Sequence, residues 1–131
     1  TWCLLHGVSV WPQGWQDRND ASRKTANLWL TYDRFGYRQA EWIPYYRAGK
    51  LAVSESPSAL VSLYLIRGQR ALLVIGNTSH GVTQAKVSVD LQAMGLKGKA
   101  VNALTDQPID LQDSRLSVRL RPDTFVLAWV E

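Results

Sequence analysis

Thirteen aromatic residues are divided very unevenly along this 131-residue chain. Ten of them lie before Arg47, including five of the six tryptophans, and only Tyr64, Phe125 and Trp129 come after it. Trp2, Trp11, Trp15, Trp29, Tyr32, Phe35, Tyr37, Trp42, Tyr45 and Tyr46 carry far more ring surface than fifty residues can wrap around themselves. The first piece, 1–50, is therefore expected to need apolar surface from elsewhere, whereas 51–131 is long enough to close its own core. The opening Thr-Trp-Cys-Leu-Leu, with Met94 the only methionine, predicts an internal start with more chain before it. Loss of an initiator methionine is the alternative.

Charge and cysteine content narrow the function classes. Net charge is +4, but residues 1–50 hold seven basic and four acidic side chains and 51–131 hold eight and seven. No run of Lys or Arg makes a stripe that could follow phosphates, so nucleic acid is not an expected partner. No apolar stretch reaches the roughly 18 to 20 residues of a membrane span, and a membrane is not expected either. Cys3 is the only cysteine, which excludes an intramolecular disulfide and a Cys-rich zinc site, and it reads as a small buried hydrophobe. No cofactor or metal is called for. Asp17-Arg18-Asn19-Asp20 has oxygen ligands without the spacing or glycine of a calcium loop.

Local patterns divide the chain into elements. The apolar run Trp2 to Val10, interrupted by His6 and Gly7, predicts a strand buried on both faces. Trp11 to Asp20 is rich in turn formers and predicts a loop. Ser22 is a cap for a helix from about Arg23, and Gly36 is placed to end it. Glu41 to Tyr46, with Pro44, predicts an extended connection, and Ser54 to Ser58 a linker. Beyond it the period changes to two. Leu60 to Ile66 and Ala71 to Gly76 predict a hairpin closed by Arg67-Gly68-Gln69-Arg70, and Gln84 to Leu91 alternates apolar with polar residues at the edge of water. Shorter runs at Ala100 to Leu104, Pro108 to Leu111, Leu116 to Leu120 and Phe125 to Val130 bring the count to six or seven strands, the signature of an antiparallel sandwich or barrel. The expected fold is mainly β: an antiparallel β-sandwich (51–131) preceded by a strand, loop and helix (1–50).

Two sets of short words carry a resemblance. Leu63-Tyr64-Leu65, Arg70 to Asn77, Val87-Ser88-Val89-Asp90-Leu91 and Leu116-Ser117-Val118-Arg119-Leu120 resemble the small β-sandwich that ends many sugar-cleaving enzymes built on a (β/α)8 barrel. Leu5-His6-Gly7-Val8, Asp33-Arg34-Phe35-Gly36 and Trp42-Ile43-Pro44-Tyr45-Tyr46-Arg47 look like the barrel's last part and its junction with the sandwich in glycoside hydrolase family 123-like enzymes. The resemblance makes 1–50 a βα remnant of the barrel. It implies a retaining hydrolase of N-acetylhexosamine glycans, secreted or periplasmic, whose adjacent Asp-Glu pair sits on a mid-barrel strand. No adjacent Asp-Glu or Glu-Asp pair occurs here, so the catalytic residues are expected to lie before Thr1. The expected partners are the rest of the barrel and a glycan.

Active sites on such barrels lie at the C-terminal ends of the strands, which makes the loop after the first apolar run the place to look for sugar contacts. Trp11 and Trp15 offer ring faces, Asp17 and Asn19 offer hydroxyl partners, and His6 offers a base or a contact. Both tryptophans could instead pack on the barrel or the helix, and a lone histidine in an apolar strand is commonly a satisfied core residue. Asn77-Thr78-Ser79 matches the N-glycosylation pattern, and His80 reads as a turn residue. An independent carbohydrate-binding module and a subunit of an obligate hetero-oligomer are the rival readings of the same rings.

Overall fold

The computed structural model describes residues 1–8 and 20–131. Among these residues nine strands form two antiparallel sheets. The five-stranded sheet has the order β1 (Glu41–Ile43), β3 (Ala59–Ile66), β4 (Arg70–Asn77), β9 (Phe125–Val130) and β6 (Ala100–Asn102). The four-stranded sheet has the order β2 (Ala52–Ser54), β5 (Thr83–Val89), β8 (Arg115–Leu120) and β7 (Leu111–Gln112). Every pairing between neighbours is antiparallel. The expected antiparallel sandwich is the fold.

The two sheets differ in how many faces they bury, and the sequence of each strand matches. β5 alternates, with Ala85, Val87 and Val89 buried and Gln84 and Lys86 exposed, because only one face of its sheet meets the core. β4 is apolar at nearly every position from Ala71 to Ile75, and all five are buried. Ala71, Leu73 and Ile75 enter the core between the sheets, and Leu72 and Val74 enter a second core on the other side. Val61, Leu63 and Leu65 of β3 and Ala128 and Val130 of β9 share the first core; Tyr64 and Leu127 share the second. Every second residue thus serves a different layer.

The second core is closed by the aromatic-rich part of the chain. Helix α2 (Asp20–Phe35) contributes Leu28 and Phe35 to it, and helix α1 (Trp2–Leu5) contributes Leu4 and Leu5. α2 stops where Gly36 takes a left-handed conformation (φ 83°), as its position at the end of the apolar period leads one to expect. The helix begins at Asp20, which puts Ser22 in its first turn rather than at its cap; short polar residues suit both places, so local pattern does not separate them. Its C-terminal turn is tied down from the sheet. Arg70 Nε donates to the Phe35 carbonyl at 2.9 Å, and Arg34 Nη2 donates to the Ala103 carbonyl at 2.7 Å. The guanidinium groups of Arg34 and Arg70 lie 5.4 and 5.8 Å from the Trp129 ring centroid, and Phe35 meets that ring edge-on.

The expected strand over Trp2 to Val10 is not formed in the described part: Trp2–Leu5 is a single helical turn, and Val10 lies outside the described residues. The reason is where the segment lies. It rests on the face of the five-stranded sheet, where β3 and β4 already have neighbours on both sides, so no ladder is open to it. Its backbone closes on itself instead, Leu5 N–H donating to the Thr1 carbonyl and His6 N–H to the Trp2 carbonyl, both at 3.1 Å. The turn directs Leu4 and Leu5 to the sheet and leaves Cys3 exposed, against the expectation of a buried thiol. Nor is Glu41 to Tyr46 a free connection, since Glu41–Ile43 pairs with Leu63 to Leu65 as an edge strand that ends at Pro44. Gln84 to Leu91 also ends early, because the Asp90 carboxylate accepts from Ala93 N–H and caps a short helix, α3 (Leu91–Met94). The hairpin loop is one residue shorter than expected, Arg70 pairing with Ile66.

Gly76 is what lets α1 dock. A Cβ there would stand 2.6 Å from Thr1 Cγ2 and 2.9 Å from Leu5 Cδ1. Gly76→Val is expected to expel the first eight residues from the sheet while leaving the core between the sheets closed, at about 1–3 kcal/mol of stability. Hydrogen exchange of 1–8 should rise sharply in the variant; unchanged protection there would contradict the account.

Candidate functional site

Between α1 and α2 the structure leaves a cleft of about 350 Å³. α2 supplies one wall, because Leu28, Trp29, Tyr32 and Asp33 fall at spacings that share a helix face. The 3₁₀ turn Tyr37–Gln39 after Gly36 brings Tyr37 and Arg38 to the mouth, and Tyr64 of β3 reaches out of the sheet from below. Leu4, Gly7 and Val8 make the opposite wall. Gly7 has φ +69°, and a Cβ on it would come within 2.9 Å of the Trp42 indole, so only glycine lets the chain pass this close.

The rings hold one another. Tyr32 meets Tyr64 at 5.2 Å and Tyr37 at 5.9 Å, both edge-to-face; Tyr37 meets Tyr64 at 6.4 Å, and Trp42 lies 4.5 Å from Tyr64. Burial, and then the neighbouring Tyr64, push the Tyr32 hydroxyl well above the usual phenol range. Burial, and then Tyr37, push Tyr64 in the same direction. Arg38 is held more firmly protonated by its hydrogen bond to Tyr37, with the Tyr37 and Asp33 charges adding to it. The cleft thus presents three phenols, two of them firmly neutral, together with one anion and one cation at its edge. Among the described residues, Asp33 is the carboxylate in its lining.

Because folding raises both phenol pKa values, the folded chain keeps protons that the unfolded chain releases above about pH 10. Stability from these tyrosines is complete below that pH and is expected to decline as pH rises beyond it. Phenolate absorbance should show Tyr32 and Tyr64 ionising at higher pH in the folded chain than in the urea-unfolded chain; identical titrations of the two states would contradict the packing.

Of the expected sugar contacts, Trp11, Trp15, Asp17 and Asn19 lie outside the described residues. His6 is described and lies neither in an apolar strand nor in the core. It is exposed at the end of α1, its ring 6.2 Å from Trp2 in a stacked arrangement and 5.6 Å from Tyr45 edge-on. Tyr45 in turn meets Tyr46 at 5.3 Å, so Trp2, His6, Tyr45 and Tyr46 form an outer strip of rings beside the cleft-lining Gly7 and Val8. Sequence reasoning missed Tyr32, Tyr37 and Tyr64. Two signals for them existed: Leu28 and Tyr32 are four apart on the helix, and Tyr64 alternates out of step with the inward-facing Leu63 and Leu65.

Asn77 matches a glycosylation pattern, but its amide is a buried structural hub. Its Nδ2 donates to the Gly81 and Arg121 carbonyls at 2.7 and 3.0 Å, and its Oδ1 accepts from Ser79 N–H and Ser79 Oγ at 2.9 and 2.8 Å. A glycan on Nδ2 would break this set. Asn77→Ala removes the acceptor of Ser79 N–H and one donor to each carbonyl, which keep Ser79 Oγ and Thr124 as donors, and is expected to lower stability by about 1–3 kcal/mol in a urea titration; a change under about 0.5 kcal/mol would show that water replaces it. His80 is a turn residue as expected, its side chain almost wholly exposed. Among the described residues no three His, Cys, Asp or Glu side chains are grouped to hold a metal ion, and no helix is long and apolar enough to cross a membrane.

Comparison with known proteins gives a fold. No family model matches the chain, and neither does any curated protein. Among solved structures it is similar to an α-amylase from Anoxybacillus, with a TM-score of 0.65 at 8% identity over 88% of this chain and 23% of that one. It is also similar to AmyB, a maltogenic α-amylase from Thermotoga neapolitana, with a TM-score of 0.57 at 15% identity over 88% of this chain and 26% of that one. A third match is AmyP in complex with maltotriose, with a TM-score of 0.58 at 13% identity over 95% of this chain and 24% of that one. At these identities the likeness is one of fold, and the fold is one that glycoside hydrolases contain. The chain spans about a quarter of the length of the solved chains it matches.

Proposed function

We propose that this chain is the non-catalytic C-terminal part of a glycoside hydrolase. In this reading 1–50 belong with the catalytic barrel, 51–131 are the accessory sandwich, and β1 ties the first piece into the second. The observation that carries it is the docking of α1 and α2 on the outer face of the five-stranded sheet. The likeness to AmyP, over 95% of this chain and 24% of that longer one, supports reading this chain as one part of a larger enzyme. The sandwich then buttresses the barrel, with its other sheet turned to water through Gln84 and Lys86. Trp11, Trp15, Asp17 and Asn19 are its proposed glycan contacts on the catalytic side, and His6 lies next to them in sequence.

The fold favours an α-glucan as the parent enzyme's substrate, and the words around Asp33-Arg34-Phe35-Gly36 favour N-acetylhexosamine glycans. The 131-residue chain should be produced alone and also joined to the polypeptide encoded upstream in the same frame, then assayed on amylose and on N-acetylhexosaminides. The short chain is expected to release no sugar and the longer one to release it from one of the two. Hydrolysis by the short chain, or an inactive longer chain without a barrel, would overturn the proposal.

A further inference from the structure

The geometry points to a ligand for the phenol-lined cleft itself: we infer that it binds one or two pyranose rings of a neutral glycan. This goes beyond buttressing and stands on the cleft, so it survives or fails independently of what the upstream polypeptide does. Three observations select the ligand class. The volume, about 350 Å³, lies at the low end of small-ligand sites, which suits a short saccharide. The walls combine ring and aliphatic surface with phenols that are neutral at physiological pH, so they offer both C–H contact and hydroxyl hydrogen bonds.

The charges at the mouth decide the rest. Among the described residues, Asp33 and Arg38 are the charges there and they offset one another, so together they favour neither an anionic nor a cationic ligand. Together they give an acceptor and a fork of donors, the pair that vicinal hydroxyls of a sugar satisfy. A purely apolar ligand would desolvate these groups and leave them unpaired, at a loss of affinity.

The test is a titration of the 131-residue chain with maltotriose and, separately, with triacetylchitotriose, followed by tryptophan fluorescence and by calorimetry. One of the two sugars is expected to bind, and which one names the glycan. Asp33→Asn should then weaken binding by about five- to tenfold and Tyr37→Phe by about threefold, the size of one lost hydrogen bond each. Asp33 is exposed, so its variant should melt with the parent and separate binding from folding. Tyr46→Ala, in the outer ring strip, should leave affinity unchanged. No binding of either sugar up to about 10 mM, a limit weaker than the ~4 kcal/mol of a millimolar site, would overturn the inference. Binding lost in Tyr46→Ala but kept in Asp33→Asn would overturn it too, by moving the sugar to the outer strip.

Discussion

The rest of this structure depends on one requirement: the five-stranded sheet has to be covered on both faces. β4 runs through its middle with Leu72 and Val74 pointing away from the sandwich core and wholly buried. Side chains of that size each gain roughly 1.5–3 kcal/mol by leaving water, and a sandwich of two sheets covers only one side of either. The helix and turn of the aromatic-rich piece supply the missing cover. This is why the first fifty residues hold most of the rings although they contribute only one short strand to the five-stranded sheet.

That cover is held at two ends by different chemistry. At the C-terminal end of α2, Arg70 donates to a helix carbonyl while Arg34 and Arg70 lie against Trp129, so cations sit where the helix dipole favours them. At the other end a chain of hydrogen bonds crosses three elements. Tyr45 N–H donates to Ser62 Oγ at 2.9 Å, and Ser62 Oγ donates to the Leu5 carbonyl at 2.7 Å, with Ser62 and Leu5 wholly buried. Between these anchors α1 and α2 flank the cleft, and residues of both line it. Its position is a by-product of closing the second core, and its chemistry comes from the tyrosines that do the closing.

Much of the sandwich could be read in advance because each strand's face pattern is local. Alternation in β5, unbroken apolarity in β4 and the turn residues between β7 and β8 each follow from a few neighbouring residues. Asp113 and Ser114 bear this out, both adopting positive φ (48° and 61°) in a two-residue hairpin turn. The cleft was much less legible. Tyr32, Tyr37 and Tyr64 lie on a helix, a turn and a strand, and nothing in the sequence says that their rings meet. Asn77 shows the same limit from the other side, since a surface modification pattern is filled by a residue whose amide is wholly enclosed.

What the chain determined by itself was therefore the set of elements with short-range causes: period-two strands, a helix ended by Gly36, and too many rings for fifty residues to hide. What the tertiary structure decided was which surfaces those elements would share. Trp2 to Leu5 reads as a strand in isolation, yet becomes a helical turn because it lies across a sheet whose hydrogen bonds are already taken. A backbone denied a ladder must satisfy its own donors and acceptors, and no local pattern records whether a ladder will be free. The uneven rings keep their meaning as surface in need of a partner, and the partner they find in this structure is the outer face of the chain's own sheet.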